Sequence, residues 1–262
     1  MKSPLKQRLD LLLVEKGLVR TRDRAKALIL AGKVLVNGVR ESKAGVLVPF
    51  DAEVLAELPD FPYVSRGALK LKAALDHLSI EVAGMVCMDV GASTGGFTDL
   101  LLRSGAKKVY AVDVGYGQLA WSLRQDERVV VLERCNIRHL LRETILEEMD
   151  LVTIDTSFIS LKLVVPACKK FLHADARVLA LIKPQFEVGK GEVGKGGVVR
   201  NPDAQEKVVR ELSAFFEEEG FFVGNAIPSP IKGPKGNQEF ILPLWTKKER
   251  QMHEEVIRNS SV

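Results

Sequence analysis

The chain has 262 residues, of which 46% are hydrophobic and 27% are charged, and its formal net charge is +4. This composition excludes a disordered or fibrous protein, and the length is comfortable for two domains that each bury a core. The net charge is too small to establish a polyanionic partner, so the distribution of basic residues is more informative than their sum.

Neither a membrane nor a metal is expected from the sequence. No apolar run approaches the roughly 20 residues that a membrane-spanning helix needs, and the first residues lack the apolar centre of a signal peptide. The three cysteines lie far apart in apolar surroundings, as free thiols of a reducing compartment do, and the four histidines lack metal-ligand spacing. We therefore expect a cytoplasmic protein without a metal site; the oligomeric state stays open.

The first part of the chain predicts a small α+β domain over residues 1–58. Leucines at helical spacing from Leu5 to Leu13 predict a helix that ends at Gly17, and a second helix is predicted from about Thr21 to Gly32. Three short strands are predicted after them, at residues 34–36, 46–48 and 54–55, the first of which ends in an Asn-Gly turn.

Basic residues are concentrated in this part of the chain. Between Lys16 and Lys43 lie eight basic residues and two acidic ones. The pattern Arg8-Leu-Asp10, Thr21-Arg22 and Val36-Asn37-Gly38 resembles the RNA-binding domain named after a small-subunit ribosomal protein, which implies contact between the helices and structured RNA. The candidate RNA contacts are Arg8, Arg20, Arg22, Arg24, Lys26 and Lys33. A merely solvated basic face is the alternative.

A linker with two prolines is predicted at residues 59–64, and the remaining chain to residue 247 is predicted as a second domain. Ser65 is predicted to cap a helix that runs to about His77. On that helix Lys70 and Lys72 lie two positions apart, so they should face in different directions.

A glycine-rich turn begins the core of the second domain. An apolar run ends at Val90, a turn with Gly91, Gly95 and Gly96 follows, and a helical pattern starts at Phe97, which predicts strand, tight loop and helix. Glycines let a ligand approach the backbone, and a helix N-terminus offers free N–H groups. A purely structural turn is the alternative interpretation.

The residues around this turn favour one cofactor over another. Asp113 ends the next predicted strand, where an acidic residue commonly binds ribose hydroxyls. Ser93 replaces the glycine that a pyrophosphate needs, and Asp89 would repel phosphate but attract a sulfonium, so S-adenosylmethionine fits better than NAD. The predicted cofactor-binding residues are Asp89, Gly91, Ser93, Thr94, Gly95, Gly96, Asp113 and Asn136.

Strand and helix patterns then alternate to residue 247, and a charged tail covers residues 248–262. Helices are predicted at residues 118–124, 138–148, 161–171 and 202–219. Strands are predicted at residues 129–132, 151–154, 178–182, 221–227 and 239–244. Alternation of this kind is typical of an α/β fold with a mainly parallel sheet, in which ligands bind at the carboxyl ends of the strands.

Residues 187–200 contain five glycines and form a loop. The spacing of Gly189 and Gly194-Lys195 resembles a phosphate-binding loop, but Gly196 stands where that motif needs Ser or Thr and no helix pattern follows. We interpret the segment as a mobile basic loop in which Lys190 and Lys195 contact RNA. An idle flexible loop is the alternative.

Several motifs of the second domain resemble the TlyA group of ribosomal RNA methyltransferases. They are Tyr63-Val-Ser-Arg-Gly-Ala-Leu-Lys70, Asp89-Val-Gly-Ala-Ser-Thr-Gly-Gly, Asp155-Thr-Ser-Phe-Ile-Ser and Ile182-Lys-Pro-Gln-Phe-Glu187. The resemblance implies an RNA-binding domain followed by a Rossmann-like, FtsJ-like methyltransferase domain with a mainly parallel seven-stranded sheet. It also implies S-adenosylmethionine as cofactor and ribosomal RNA within ribosomal subunits as partner. Arg66, within the first motif, joins the candidate RNA contacts.

The resemblance further implies a catalytic tetrad that methylates a ribose 2′-hydroxyl, with cytidine as the expected target. Carried over to this chain, the tetrad is Lys70, Asp155, Lys183 and Glu239. Because a ribose hydroxyl is a weak nucleophile, it needs a proton acceptor within hydrogen-bond reach, and Lys183 is the hypothetical base. Two alternatives remain: an RNA-binding assembly factor without catalysis, and a membrane-lytic protein, because relatives carry a haemolysin label.

Overall fold

The structure is a computed structural model that describes residues 6–19, 21–56, 62–189 and 191–246. The chain forms two compact units, Met1–Pro62 and Tyr63–Val262. No helix within the described ranges is both long enough and apolar enough to cross a membrane. Predicted residues Arg20 and Lys190 and the tail at 248–262 lie outside the described residues.

The first unit contains two helices and two small antiparallel sheets. Its elements are β1 (Lys6–Arg8), α1 (Leu9–Glu15), α2 (Arg22–Leu30), β2 (Val34–Val36), β3 (Val39–Glu41), β4 (Leu47–Pro49) and β5 (Val54–Ala56). One sheet pairs β1 with β4, and the other has the order β3-β2-β5. The first helix therefore starts later than predicted, because Lys6–Arg8 pair with β4 instead of extending α1.

A buried carboxylate ties the beginning of this unit together. The Asp10 side chain is 0% exposed, and its oxygens accept hydrogen bonds from Arg8 at 3.0 Å and from Arg22 at 2.8 Å. The bond from Arg8 is the main cause that lowers the pKa of Asp10 to about 2, although burial opposes the shift. Asp10 thus links the start of α1 to the start of α2.

The second unit is built on an eight-stranded mixed sheet flanked by helices. Its helices are α3 (Ala68–His77), α4 (Gly96–Arg103), α5 (Trp121–Arg124), α6 (Leu161–Cys168) and α7 (Pro202–Glu218). Its strands are β6 (Val86–Val90), β7 (Lys108–Val112), β8 (Val129–Leu132), β9 (Met149–Ile154), β10 (Leu172–Ile182), β11 (Phe222–Val223), β12 (Ile227–Pro228) and β13 (Phe240–Trp245).

The strand order of this sheet is β11-β13-β10-β9-β6-β7-β8, and β12 pairs with β13 beside that path. The five strands from β10 to β8 are parallel, whereas β13 runs antiparallel to β10. The mainly parallel Rossmann-like α/β sheet is as predicted, but it has eight strands instead of seven because two short segments, β11 and β12, replace the single strand predicted at 221–227.

Both faces of the sheet are covered, because alternate residues of each strand enter different cores. On β6, Met88 and Val90 pack into the core beneath α6 and α7, whereas Cys87 packs into the core beneath α3, α4 and α5. The polar ends of the strands are therefore left as the accessible part of the sheet.

Three further local predictions, in the second unit, were wrong. Residues 138–148 form one 3₁₀ turn and no α-helix, and the Arg142 guanidinium donates to the carbonyl groups of Ile145 and Leu146. Strand 221–227 is interrupted where it meets Pro243, which has no N–H to donate. The N-cap of α3 is Gly67 and not Ser65.

The Asp10→Asn variant should lose roughly 1–3 kcal/mol of stability in the first unit at pH 7, because two arginine donors lose their buried, charged acceptor. The folded pKa of Asp10, about 2, lies below its ordinary value of 3.8, so this stabilisation is present above about pH 4 and is lost as the pH falls towards 2. Amide protection of α1 and α2, corrected for intrinsic exchange at each pH, measures the difference.

Asp23→Asn is the control for this experiment, because the Asp23 side chain is 93% exposed and its pair with Lys26 lies at the surface. It should change protection little at any pH. An Asp10→Asn effect that persists unchanged at pH 2 would contradict the assigned cause.

Candidate active site

A pocket of about 180 Å³ lies at the carboxyl ends of β6, β9 and β10. The chain order reverses between the neighbouring strands β6 and β9, so this is the switch point at which α/β sheets bind ligands. The lining includes five of the eight predicted cofactor residues: Asp89, Gly91, Ser93, Thr94 and Gly96. Gly95, Asp113 and Asn136 lie outside that lining.

The glycine turn after β6 lies against the end of β9. Gly91 has a φ of +84°, and a Cβ atom there would lie 2.7 Å from the carbonyl oxygen of Asp155. Gly95, with a φ of +93°, is the N-cap of α4. A side chain at position 91 would meet both a strained backbone conformation and this clash, so glycine is needed for the turn to pass directly against the end of β9.

Asp113 holds the turn in place from the end of β7. Its carboxylate accepts hydrogen bonds from the backbone N–H of Ser93 at 2.8 Å and of Gly115 at 2.6 Å. Ser93 itself has a φ of +50°, which is uncommon for a residue with a side chain. Asn136, beyond β8, accepts a hydrogen bond from the backbone N–H of Arg138.

Asp89 is buried beneath the pocket and is held by three hydrogen bonds. It accepts from the Thr98 backbone at 3.0 Å, from the Thr98 hydroxyl at 2.7 Å and from the Thr153 hydroxyl at 3.2 Å. Burial raises the pKa of Asp89 to about 7, the bonds from Thr98 oppose this shift, and the charge of Asp155 adds to it. Its charge therefore changes near neutral pH.

Lys183 and Asp155 meet at the ends of two neighbouring parallel strands, β10 and β9, as their positions in the sequence predict. The Lys183 Nζ lies 2.6 Å from Asp155 Oδ1. It also donates a hydrogen bond to the Ser157 hydroxyl at 2.8 Å. All three residues line the pocket, so the ammonium group is positioned there by one ion pair and one hydrogen bond.

Lys70 and Glu239 form a second ion pair behind the first. Lys70 Nζ lies 2.5 Å from Glu239 Oε2, and the two side chains are 9% and 1% exposed. The β10–β13 register pairs Ile182 with Phe240, so Lys183, directly after β10, and Glu239, directly before β13, lie at the same end of this strand pair. The two ion pairs formed by the predicted tetrad therefore lie at the same end of these two strands.

The predicted RNA contacts are mostly at the surface, where a phosphate can reach them. Arg24, Lys33, Arg66 and Lys195 are exposed, and Lys26 is half-buried with an ion pair to Asp23. Arg8 and Arg22 are about half-exposed but already donate to Asp10, so part of their role is structural. Contact with RNA stays a prediction for all of them.

Sequence reasoning missed two residues of the loop after β9, Ser157 and Phe158. Phe158 is 89% exposed, has a φ of +64° and places its ring 4.8 Å from that of Phe186. A bulky side chain in this backbone region is a genuine outlier, and such outliers cluster at functional sites. Their position in the sequence could have indicated them, because both residues closely follow Asp155 at the end of a predicted strand.

Comparison with known proteins assigns each unit to a family. The FtsJ-like methyltransferase family model matches residues 63–245, and the S4 domain model matches residues 7–54. The chain is 49% identical to the 16S/23S rRNA (cytidine-2′-O)-methyltransferase TlyA of Mycobacterium tuberculosis, with 94% of this chain and 92% of that protein covered.

Two further relatives carry a haemolysin label. Hemolysin A of Brachyspira hyodysenteriae is 41% identical, with 89% of this chain and 98% of that protein covered. A solved structure from Streptococcus thermophilus with the same type of label is 40% identical, has a TM-score of 0.72 and covers 99% of this chain and 100% of its own.

Gly91→Ala should destabilise the second unit more than Gly117→Ala. Both glycines have a positive φ, +84° and +71°, but a Cβ at position 117 meets nothing within 4 Å, whereas at position 91 it meets the backbone of Asp155. The control thus isolates backbone strain from the clash. Thermal unfolding measures both variants, and equal losses would contradict the close approach described for Gly91.

Proposed function

Because this chain belongs to the TlyA family of FtsJ-like methyltransferases, we propose that it transfers a methyl group from S-adenosylmethionine to a cytidine 2′-hydroxyl of ribosomal RNA. The observation that carries the proposal is the pairing of Lys183 with Asp155 and of Lys70 with Glu239 at the carboxyl edge of the sheet. Such an arrangement places the Lys183 amine group in the lining of the pocket, beside the glycine-rich turn.

The pocket suits a nucleoside that carries a sulfonium group, which when bound supplies an activated methyl. We assign the turn from Gly91 to Gly96 to the methionine part, because it presents backbone and the start of α4. Asp113 keeps lone pairs beyond its two backbone bonds and is assigned to the ribose hydroxyls. Asn136 is assigned to the adenine side.

Lys183 is assigned to the attacking hydroxyl. Its amine group lies in the pocket lining, where it can meet the ribose oxygen, while Asp155 forms an ion pair with it and the Ser157 hydroxyl accepts one hydrogen bond. Lys183 accepts the hydroxyl proton only as a neutral amine, and it holds that proton when the transfer is complete. The bound sulfonium would supply the methyl group to the ribose oxygen and would leave as the neutral thioether. Lys70 and Glu239 orient this pair from behind.

The S4-type unit is the proposed RNA anchor. Arg24 and Lys33 are exposed there, and Arg66 and Lys195 are exposed in the second unit. The protruding Phe158 ring can stack on a base beside the pocket, which is how single-stranded RNA is commonly held. Ribosomal subunits are therefore the proposed partner, and the cytoplasm the proposed compartment. We further propose residues 1–58 and 65–247 as the functional domains.

The central test is transfer of labelled methyl from S-adenosylmethionine to unmethylated ribosomal subunits. Lys183→Ala and Lys70→Ala should each lower the rate about 100-fold or more, because proton transfer or its support is lost. Lys72→Ala is the matched control, since Lys72 is an exposed neighbour of Lys70 whose pair with Asp76 lies at the surface. It should retain the wild-type rate.

The chemical nature of the labelled RNA and the negative results of this assay distinguish between the alternatives. Label that resists alkaline cleavage at one ribose would identify 2′-O-methylation and map the nucleotide. Turnover retained in Lys183→Ala would contradict the assignment of Lys183. Absence of label on either subunit, with cofactor binding intact, would replace the proposal with an RNA-binding assembly factor that has no catalytic activity.

Cofactor binding should depend on pH through Asp89. Its pKa of about 7 means that the carboxyl is neutral below and anionic above that pH, and an anion attracts a sulfonium. The affinity for S-adenosylmethionine should therefore rise several-fold from pH 6 to pH 8. Calorimetric titrations should show a flatter profile for the neutral thioether S-adenosylhomocysteine and for Asp89→Asn. Identical profiles for the two ligands would contradict this role of Asp89.

A further inference from the structure

Asn237 has a buried side-chain amide, and both its nitrogen and its oxygen form hydrogen bonds with another segment of the chain. It is 2% exposed. Its Nδ2 donates to the carbonyl oxygen of Gly197 at 2.9 Å, and its Oδ1 accepts from the backbone N–H of Val199 at 2.9 Å. One contact needs a donor and the other an acceptor, and the carboxamide in this orientation supplies both.

The segment that Asn237 holds is the last part of the glycine-rich loop. The Gly194 N–H donates to the Val198 carbonyl at 3.2 Å, and the Gly197 N–H donates to the Gly194 carbonyl at 3.0 Å, so residues 194–198 form a tight turn. Lys195 is exposed on this turn. A phosphate bound by Lys195 therefore acts on a segment whose base is fixed by Asn237.

Asn237 is also tied to Glu239, two residues along the chain. The Gly233 N–H donates to the Asn237 carbonyl at 2.9 Å, and the Ser229 N–H donates to the Glu239 carbonyl at 2.8 Å. A Cβ on Gly233 would lie 2.3 Å from Glu239 Oε1, so the 229–237 segment packs directly on the Glu239 carboxyl. A displacement of Asn237 therefore moves the carboxylate that holds Lys70.

We propose that Asn237 is a positioning residue that couples seating of the RNA on the glycine-rich loop to the placement of Glu239. The inference rests on the proposed function, since it concerns the same tetrad. Phosphate contact at Lys195 orders the turn, the turn holds Asn237, and Asn237 sets the segment that presents Glu239 to Lys70. Methyl transfer is then fast only when the substrate occupies the loop.

Gln205 provides a matched control on the opposite side of the same loop residue. From α7, its Nε2 donates to the Val199 carbonyl at 2.7 Å. Asn237 and Gln205 thus hold the N–H and the carbonyl of one residue, but only Asn237 lies on the segment that leads to Glu239. Removal of either side chain should loosen the loop, but only removal of Asn237 should also displace a residue of the tetrad.

The test is steady-state methyl transfer to ribosomal subunits with wild type, Asn237→Ala, Gln205→Ala and Lys195→Ala. Asn237→Ala should lower kcat about 10- to 100-fold, as misplaced catalytic groups do, and raise KM for RNA. Gln205→Ala should raise KM several-fold and leave kcat near wild type. In the Asn237→Ala background, Lys195→Ala should lower the rate of methyl transfer less than it does in wild type, because the contact between the loop and residue 237 is already lost.

The affinity for S-adenosylmethionine should be unchanged in every variant, which would show that the second unit is folded. If Asn237→Ala does not fold, Asn237→Ser replaces it with the same expectations. Wild-type kcat in the Asn237 variant, or an equal loss of kcat in Gln205→Ala, would overturn the inference. Absence of turnover in the wild type would instead refute the proposed function, so the two failures are distinguishable.

Discussion

The arrangement of the second unit depends on the cost of burying charge. The ammonium groups of Lys70 and Lys183 belong to side chains that are only 9% and 11% exposed, and each lies within 2.6 Å of a carboxylate. An ammonium in such a place without its partner would cost several kcal/mol. The positions of α3, β9, β10 and β13 are therefore mutually constrained, because each contributes one member of a pair. Buried ion pairs seldom add stability, so their presence indicates a chemical use.

Much of this site could be predicted because parallel strands bring their carboxyl ends to one edge. Asp89, Asp155 and Lys183 each end or follow an apolar run, and their proximity follows from strand order alone. The different orientations of Lys70 and Lys72 follow from helical geometry, and the structure has one buried and the other exposed. Sequence patterns are sufficient to place a residue when its position depends on neighbouring residues or on a feature that all parallel α/β sheets share.

Other residues could not be placed in this way, because their position depends on contacts distant in sequence. Without the family resemblance, Glu239 gives no signal: it precedes an antiparallel strand, and only the register with β10 brings it to the same end of that strand pair as Lys183. The role of Asn237 depends on a loop about forty residues away in the chain. The 138–148 segment has a helical pattern, yet it forms only one 3₁₀ turn, beside which the Arg142 side chain donates to the carbonyl groups of Ile145 and Leu146. Propensity does not include side-chain contacts of this kind.

The antiparallel pairing of β13 with β10 has a consequence for the register of the sheet. Side chains alternate between the two faces of a strand, so a slip of β13 by one residue along β10 would turn the Glu239 carboxylate to the opposite face of the sheet. Lys70 would then be left as a buried cation without a counterion. The apolar side chains of β13 and the Glu239 charge directly before it therefore select the same register, and a mispaired strand would be penalised twice.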